Sequence, residues 1–283
     1  MHDEVMNHMS AHVRKLASIA FASVLIVLAG CTSDGGSGDS AAGGGGESTL
    51  DSVVEKGTIR VAVLPDFPPF SVQNASGEFE GYEVDIAKEL AKAMGVKLEL
   101  VSTDGASRLP LLKADRADVN ISSWTATDER AKAVGYTIPY IADGASVLFR
   151  SGTDIKDYDD LAGKTVSVTR GSTNDTIMTE DFPDTKITRF ESIADAIAAL
   201  KAGKVDAAVE GRATVKQEAE KEGDLVALDQ PPLKPSLISM GALPDDQEWI
   251  NYLNNFIRNL NASGTNQELY QKWFGEDLPS VIG

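Results

Sequence analysis

A run of hydroxyl side chains, "ISSWTATDER", lies at residues 121–130 and carries an arginine at its end. It supplies Ser122, Ser123, Thr125 and Arg130. Hydroxyl groups and a guanidinium suit a small anion, because each hydrogen bond to a charged group contributes roughly 1.5–3 kcal/mol. The same residues also fit a structural role, since Ser and Thr commonly cap helices and an exposed Arg is usually solvated. Both interpretations stay open from spacing alone.

A second run of this kind, "RGSTND", lies at residues 170–175. It contributes Arg170, Ser172 and Thr173 after a predicted strand. In open α/β sheets, ligands bind beyond the carboxyl ends of the strands, where the first turns of helices present free N–H groups. The two runs therefore predict one anion-binding site to which two parts of the chain contribute.

Composition narrows the classes of protein to consider. The chain has 283 residues, of which 42% are hydrophobic and 24% charged, as in a folded protein of one or two domains. It has 43 acidic and 26 basic residues and a formal net charge of −17. This charge argues against a nucleic-acid partner, because such binding depends on neutralising phosphates.

Histidine and cysteine are confined to the N-terminal region. The chain has three histidines, His2, His8 and His12, and one cysteine, Cys31. If this region is removed, histidine-based triads, cysteine nucleophiles and His/Cys zinc sites are all excluded. We predict no metal site and no cofactor. Any catalysis would have to use carboxyl, Lys, Ser or Tyr groups, and we assign no catalytic residue.

The N-terminal residues are typical of a lipoprotein. Arg14 and Lys15 precede an apolar stretch, residues 16–29, that is short for a membrane span and fits a signal peptide. "LAGC" follows and resembles the lipobox of bacterial lipoproteins, which makes Cys31 the lipidated residue. We predict a signal peptide over residues 1–30 and a lipid-anchored, glycine-rich flexible tether over residues 31–50.

Strand and helix patterns alternate from residue 58 onward. "TIRVAVL" (58–64) predicts a buried strand, and "YEVDIAKELAKAM" (82–94) has helical spacing and is followed by Gly95, a natural helix stop. "VKLELV" (96–101) alternates as a strand, so a parallel pair is expected. Further elements follow: a helix at 108–114 and a strand at 118–121.

A second set of α/β elements begins after about residue 146. It comprises strands at 164–168, 186–190 and 205–209, with helices from residue 174, over 192–203 and up to residue 222. Two C-terminal helices carry apolar faces that need a lobe to cover, with Trp249, Leu253, Phe256 and Leu260 on the first. The fold class predicted is α/β with two similar lobes.

Two aromatic residues are candidates for a ligand-binding cleft. Phe67 follows a strand in the proline-fixed loop "PDFPPF", and Trp124 lies within the first hydroxyl run. Either ring could instead belong to the core, and the residues alone do not decide between the two placements.

Six motifs together resemble the bacterial extracellular solute-binding proteins of family 3, the amino-acid receptors of ABC importers. They are "PDFPPF", "GYEVDIAKELAKAMG", "ADVNISSWTATDERAK", "DLAGKTVSVTRGST", "LKAGKVDAAVEG" and "LYQKWFG". The resemblance implies the type II periplasmic-binding-protein fold, with two α/β lobes, two hinge strands and a ligand between the lobes. We expect lobe 1 at 51–145 plus 236–283 and lobe 2 at 146–235.

The resemblance also implies roles for single residues. Arg130 corresponds to the arginine that binds the ligand's α-carboxylate, helped by Thr125 and Thr173, and Phe67 to the aromatic that flanks the ligand. Ser122 and Ser123 correspond to positions that offer a carbonyl or hydroxyl to the ammonium group. Arg108 resembles an arginine that meets the side-chain carboxylate in some acidic-amino-acid receptors.

Three positions depart from the family's pattern. The usual acid for the α-ammonium group falls at Gly211, with Glu210 one place earlier, and a frequent second acid falls at Leu64. Either Glu210 has taken that role or the ligand is not an ordinary α-amino acid. Gly105 stands where many members place a second aromatic, for which Trp124 is a substitute.

The expected function is therefore a lipid-anchored, monomeric receptor outside the cytoplasm. It would capture a polar amino acid, for which a glutamate-like or aspartate-like ligand is one candidate, and deliver it to a membrane permease. One alternative is an enzyme similar to the cyclohexadienyl dehydratases, disfavoured because nothing in the sequence marks a carboxyl group of raised pKa. A binder of a solute that is not an α-amino acid is the other alternative. The ligand-binding part of a signalling receptor is disfavoured, because no transmembrane or effector segment follows.

Overall fold

The computed structural model describes residues 48–221 and 223–279 of the chain. The predicted signal peptide, Cys31 and most of the predicted tether lie outside these residues. The last residues assigned to the tether are structured: Ser48 caps the first helix, which begins at Thr49. The backbone N–H of Thr49 donates to Asp246 Oδ2 at 2.7 Å, which joins the start of the described chain to a C-terminal helix.

The strands of the described residues form two sheets. They are β1 (Thr58–Val63), β2 (Asp66–Phe67), β3 (Ser71–Gln73), β4 (Phe79–Glu80), β5 (Lys97–Ser102), β6 (Val119–Thr125), β7 (Gly135–Arg150), β8 (Thr165–Thr169), β9 (Lys186–Phe190), β10 (Ala207–Gly211), β11 (Leu225–Ala227) and β12 (Leu233–Ala242).

Helices pack against these sheets. They are α1 (Thr49–Lys56), α2 (Tyr82–Met94), α3 (Arg108–Lys113), α4 (Asp128–Ala131), α5 (Thr173–Asp181), α6 (Ile193–Lys201), α7 (Arg212–Lys221), α8 (Gln247–Ala262) and α9 (Thr265–Phe274), with a 3-10 helix at Tyr158–Leu161.

The larger sheet has the strand order β5-β1-β6-β12-β7-β10-β8-β9, and β11 pairs with β7. On one side β1 runs parallel to β5 and β6; on the other β8 runs parallel to β9 and β10. The strands β12 and β7 lie between these parallel sets and are antiparallel to their neighbours. The α/β class and the two-lobed arrangement are thus confirmed.

Lobe 1 is built on β5, β1 and β6 with the small sheet β2-β3-β4, and lobe 2 on β10, β8 and β9. The long strands β7 and β12 connect the two lobes, so we call them the hinge strands. Each predicted change of lobe, at residues 145/146 and 235/236, falls inside one of them. Register pairs Leu233 with Ala145, so the chain enters and leaves lobe 2 at neighbouring positions.

Helix α2 shows why the local predictions succeeded. It spans Tyr82–Met94 as its periodicity predicts, and Gly95 ends it in the left-handed conformation with φ of 69°. Its N-cap, Gly81, has φ of 136°, and a Cβ there would lie 2.3 Å from the carbonyl oxygen of Phe70. Only glycine fits both this conformation and this close approach, which fixes α2 against the small sheet.

Residues 121–125 of the first hydroxyl run lie within strand β6, and not in the turn that the sequence predicted after residue 121. The strand ends not at residue 121 but at Thr125, because residues 122–125 continue alongside hinge strand β12. The register shifts between Ser239 and Gly241, so β6 carries extra residues at this point. Ser123 lies in this bulge with φ of 49°. A bulge redirects side chains at a strand end, so the run still borders the site.

Each lobe has its own apolar core. In lobe 1 the core includes Ile59, Ile86 and Trp249, which are fully buried, and the predicted apolar face of α8 packs here. In lobe 2 it includes Val166 and Met178. Burying one large side chain stabilises the fold by roughly 1.5–3 kcal/mol, so each lobe is stabilised by its own core.

Candidate functional site

A cavity of ≈ 390 Å³ lies between the two lobes. Its volume falls in the range of roughly 300–1,000 Å³ found for sites that bind small molecules. Lobe 1 lines it through the segments after β1 and β5, helix α3, the end of β6 and helix α4. Lobe 2 contributes the segments after β8 and β9 and the end of β10, and the hinge strands contribute as well. The cavity thus lies where the carboxyl ends of parallel strands meet.

Most of the residues predicted to bind a ligand line this cavity, and Ser122 and Trp124 do not. The lining includes Phe67, Arg108, Ser123, Thr125, Arg130, Arg170, Ser172, Thr173 and Glu210. The sequence therefore predicted which segments meet, although their roles in binding stay predictions.

Arg130 reaches across the cavity from lobe 1 to lobe 2. Its Nη1 donates to the carbonyl oxygen of Thr125 at 3.2 Å, and its Nη2 to that of Gly171 at 3.1 Å. Thr127 caps helix α4 by accepting from the backbone N–H of Arg130, which fixes where the side chain begins. Burial lowers the pKa of Arg130. No carboxylate lies within ion-pair distance of it among the described residues, so the guanidinium is available to an anion.

Arg108 is held beside Arg130 by Ser122. The Nε of Arg108 donates to Ser122 Oγ at 3.1 Å and its Nη2 donates to the Ser122 carbonyl at 2.8 Å. Burial, followed by the charge of Arg130, lowers the pKa of Arg108 to about 10. Ser122 is fully buried, and its oxygens accept from this guanidinium. Its observed contact is thus with Arg108, which it orients toward the cavity.

Ser123 is fixed from behind by a buried carboxyl group. Glu83, in the first turn of α2, accepts from the backbone N–H of Ser123 at 2.6 Å and from its Oγ at 2.7 Å. The same oxygen accepts from the hydroxyl of Tyr140, on hinge strand β7. Burial raises the pKa of Glu83, and these hydrogen bonds oppose the rise. Glu83 is fully buried, and it was not among the residues predicted from the sequence.

The two candidate aromatic residues have different surroundings. Phe67 lines the cavity and stacks on Phe70 with ring centroids 4.8 Å apart, so one face is supported by the core. Trp124 packs edge-to-face on Tyr136 and against Gly241, where a Cβ would come within 2.5 Å of the indole. Trp124 is buried outside the lining and contacts the site through the guanidinium of Arg108, 5.7 Å above its ring.

Lobe 2 presents the first turn of helix α5 to the cavity. Ser172 caps this helix by accepting from the N–H of Asp175 at 3.1 Å, and Thr173 is its first residue. The partial positive charge of a helix N-terminus favours an anion. This turn faces the same cavity as the two arginines of lobe 1.

Arg170 lies at the rim of the cavity. Its Nε pairs with Glu191 Oε1 at 2.7 Å, and more than half of both side chains is exposed to solvent. An ion pair this exposed contributes little to stability. Arg170 therefore differs from the two arginines of lobe 1, neither of which has a carboxylate partner among the described residues.

Glu210 is a buried carboxyl group at the end of β10. Its Oε1 accepts from Thr169 Oγ1 at 2.8 Å and its Oε2 from Asn174 Nδ2 at 3.3 Å. Burial raises the pKa of Glu210 to about 7, and these hydrogen bonds oppose the rise. The sequence marked no carboxyl group of raised pKa; the structure contains one at the cavity, because β10 carries Glu210 into the interior between the lobes.

Asp143 is a lining residue that the sequence analysis missed. It lies on hinge strand β7, opposite Ser236 of β12, and burial raises its pKa to about 6. It precedes Gly211 by 68 positions, and only the pairing of β7 with β10 brings the two together. No spacing in the sequence signals that contact.

Residues 48–221 and 223–279 contain no group of three or more His, Cys, Asp or Glu side chains placed to hold a metal ion. No helix in the same residues has the length and apolar character needed to span a bilayer. The chemistry of the cavity is thus carried by arginine, carboxyl, hydroxyl and backbone groups.

Residues 59–276 match the family described as bacterial extracellular solute-binding proteins, family 3. The chain belongs to this family. The resemblance of the six motifs is thus confirmed, and the match covers both lobes and every segment that lines the cavity.

Proteins named for the amino acids that they bind are similar to this family 3 protein. It is 30% identical over 234 residues to the L-cystine-binding protein TcyJ of Escherichia coli K12, covering 82% of this chain and 88% of TcyJ. A crystal structure of a mutant of ArgBP from T. maritima is 33% identical, with a TM-score of 0.75, covering 81% of this chain and all of that one.

A reconstructed ancestor is also similar to the family 3 protein. It is the ancestral amino acid-binding protein AncCDT-1, described as a precursor of cyclohexadienyl dehydratase. The two chains are 32% identical with a TM-score of 0.75, covering 81% of this chain and all of the ancestor. The same scaffold is thus associated with binding proteins and with the ancestry of an enzyme.

Proposed function

We propose that this chain is the substrate-binding receptor of an ABC importer, which captures an amino acid between its lobes and delivers it to a membrane permease. One observation carries the proposal: the cavity between the lobes has Arg108 and Arg130 from lobe 1 and the carboxyl groups of Asp143 and Glu210 from β7 and β10. Groups of both charges in one cavity complement a zwitterion. The named relatives, which bind cystine and other amino acids, support this.

The α-carboxylate of the ligand is assigned to Arg130. Its guanidinium has no carboxylate partner among the described residues, and the first turn of α5, with Thr173, faces it across the cavity. A ligand carboxylate bound there would receive charge-assisted hydrogen bonds from both lobes. Only the closed arrangement makes both sets of contacts, so binding would favour closure.

The ligand's side chain is assigned to the class of polar side chains. Arg108 would meet an acidic or amide side chain, as the resemblance to acidic-amino-acid receptors implies. Glu210 would meet a cationic one. Phe67 supports the aliphatic part of either, because its ring lines the cavity and is stacked on Phe70.

Thermal unfolding with added ligands tests this function. The purified protein would be heated alone and with L-cystine, L-glutamine, L-arginine, L-histidine, L-glutamate and betaine-like solutes. At a ligand concentration one hundred times Kd, stabilisation is about 2.7 kcal/mol, which gives a clear shift in Tm. A shift with at least one α-amino acid is expected. A shift only with a solute that lacks an α-ammonium group would replace the proposed ligand class, and no shift at all would overturn the function.

The proposal includes a location and an assembly state. Lipidation at Cys31 would anchor the protein outside the cytoplasm, and the glycine-rich residues 31–50 would let it move near its permease. Acyl chains contribute roughly 0.8 kcal/mol per buried methylene, so two or three chains make a stable anchor. A hinged receptor of this kind works as a monomer.

An enzyme similar to the cyclohexadienyl dehydratases is the second candidate. One observation favours it: Glu210 is a buried carboxyl group at the cavity with a pKa of about 7, a value suited to general acid or base chemistry. Incubating the protein with arogenate or prephenate and following phenylalanine or phenylpyruvate would decide. We expect no product, because both oxygens of Glu210 already accept hydrogen bonds within lobe 2.

A further inference from the structure

The space beside Gly211 is filled by the carboxylate of Asp143. A Cβ built on Gly211 would lie 2.4 Å from Asp143 Oδ2 and 3.5 Å from its Cγ. Contact at 2.4 Å is far inside van der Waals distance, so any side chain at position 211 would displace this carboxylate. Gly211 does not have a positive φ, and thus its backbone does not require glycine. What requires glycine here is room for Asp143.

Asp143 has no cationic side chain bound to it. Within the described residues, no Lys or Arg lies within ion-pair distance of its carboxylate. The charge of Arg212 acts on it, but that guanidinium is 4.0 Å from Glu276 instead. The backbone N–H groups of Gly144, Ala213 and Arg212 lie near it and favour its charged form, which lowers its pKa against the effect of burial. A carboxylate that lines a cavity in this way can accept a cation.

Glu210, the other carboxyl group at this wall, is engaged differently. Its two oxygens accept from Thr169 and Asn174, so both are directed into lobe 2. Asp143 accepts from no side-chain donor among the described residues. Of the two groups, Asp143 therefore has the greater free capacity for a ligand.

We infer that Asp143 binds the α-ammonium group of the ligand, and that Gly211 is glycine because Asp143 occupies the place of its side chain. This inference rests on the proposed capture of an amino acid. It adds a binding residue from a hinge strand to those of the two lobes. With Asp143 in this role, the glycine at position 211 no longer argues against an ordinary α-amino acid as the ligand. The carboxylate that the family usually has at that position is supplied by Asp143.

A structural role for Asp143 has to be separated from this one. Its carboxylate lies near the first N–H groups of α7, so it is placed to cap that helix. Asp143→Asn separates the roles, since an amide oxygen still accepts from N–H groups and Asn is a good cap, whereas the negative charge is lost. Thermal unfolding without ligand would confirm that the variant folds.

The measurement is the Kd, by isothermal titration calorimetry, of the α-amino acid from the thermal panel that stabilises the wild type most. The matching acid without an α-ammonium group is the second probe. Asp143→Asn should weaken the amino acid by at least about 30-fold, as expected for removing one partner of a buried charge pair. The matching acid should bind both proteins nearly equally.

A second variant tests the use of space. Gly211→Ala should weaken the same amino acid, because the added methyl group displaces the Asp143 carboxylate. The double variant Asp143→Ala with Gly211→Asp should bind at least about tenfold more tightly than Asp143→Ala alone, since it returns a carboxylate to the same place. A double variant that folds but binds no more tightly than Asp143→Ala would contradict the inference that Asp143 occupies the place of a side chain at position 211.

The possible outcomes test the role of Asp143 separately from the proposed capture of an amino acid. A wild type that binds no amino acid overturns the proposed function. A wild type that binds, with Asp143→Asn binding equally well, overturns only the inference. Equal weakening of the amino acid and of the matching acid would assign Asp143 to the helix cap alone. Weakening by Glu210→Gln with none by Asp143→Asn would return the ammonium group to Glu210.

Discussion

At the scale of single residues, the affinity for the ligand should depend most directly on the guanidinium of Arg130. Arg130→Ala should raise the Kd of the bound amino acid at least about 30-fold, because a buried charge pair is lost. The Kd of Arg130→Lys should lie between those of the wild type and Arg130→Ala. Lysine keeps the positive charge, but it lacks the planar guanidinium that binds a carboxylate through two hydrogen bonds. Titration calorimetry measures both.

The matched control for Arg130 is Arg116→Ala. Arg116 is exposed and lies outside the cavity lining, so its removal should leave the Kd unchanged. Retained affinity in Arg130→Ala, with the fold intact, would remove Arg130 from the α-carboxylate site.

Glu210 predicts a pH dependence of stability. Its folded-state pKa, about 7, lies above the usual 4.5, so the folded protein binds the proton more tightly than the unfolded chain. Stability from this group is complete below pH 4.5 and is lost as pH rises toward and through 7. Glu210→Gln should therefore gain stability over the wild type between pH 5 and pH 8, by up to about 3 kcal/mol.

Urea unfolding of both proteins at several pH values measures this difference. Glu191→Gln is the control, because it makes the same substitution at an exposed carboxyl group. A stability difference between Glu210→Gln and the wild type that does not change with pH would show that the carboxyl group of Glu210 is not destabilised by burial.

The sequence marked Arg130 as a candidate site residue and did not mark Asp143, for a physical reason. Arg130 belongs to a run of polar residues at a strand end, which is a local signal. Asp143 faces the cavity because β7 and β10 pair across 68 positions of chain. Compared with the family's pattern, Gly211 stands where an acid is usual. The carboxylate that fills this space, Asp143, is distant in sequence and was therefore not recognised.

At the scale of elements, helix α2 holds the bulge of β6 in place. Glu83 in its first turn accepts both polar hydrogens of Ser123, which has a positive φ. Glu83→Ala should lower the free energy of unfolding by about 2–4 kcal/mol, since three donors, two on Ser123 and one on Tyr140, lose their acceptor. It should also weaken ligand binding, because the bulge positions the segment between Arg108 and Arg130.

Tyr140→Phe is the matched control for the bulge. It removes one hydrogen bond to the same carboxyl group and leaves both bonds to Ser123. Stability should fall by about 1 kcal/mol with the Kd unchanged. An equal loss of affinity in both variants would show that the buried carboxyl group, and not the bulge, matters for binding.

Among the elements, those with a strong period were predicted and the hinge strands were not. Helix α2 and strand β9 coincide with their predicted bounds, since 3.6-residue spacing and flanking turn residues are local features. β7 contains a proline and two glycines, and β12 a proline and a glycine, which interrupt any alternation. Only the resemblance to a family implied these strands.

At the scale of the whole molecule, the proposed lipidation of Cys31 would determine where the protein is retained. The wild type should be found in the membrane fraction, because two or three acyl chains on Cys31 would anchor it. Cys31→Ser in the full chain should release the protein into the soluble fraction with the same Kd. Membrane retention of Cys31→Ser would show that another part of the chain holds the protein there.

The register of the hinge strands has a consequence for how such a receptor can be rebuilt. Ala145 and Leu233 are paired, so the intervening chain leaves and returns at a single point, as an insertion does. An insertion with adjacent ends can be exchanged for that of a relative without changing the path of the rest. Such chimaeras would keep Arg108 and Arg130 of lobe 1 and would take α5 and β10 from the relative. The part of the cavity that lobe 2 lines could therefore be replaced in a single exchange.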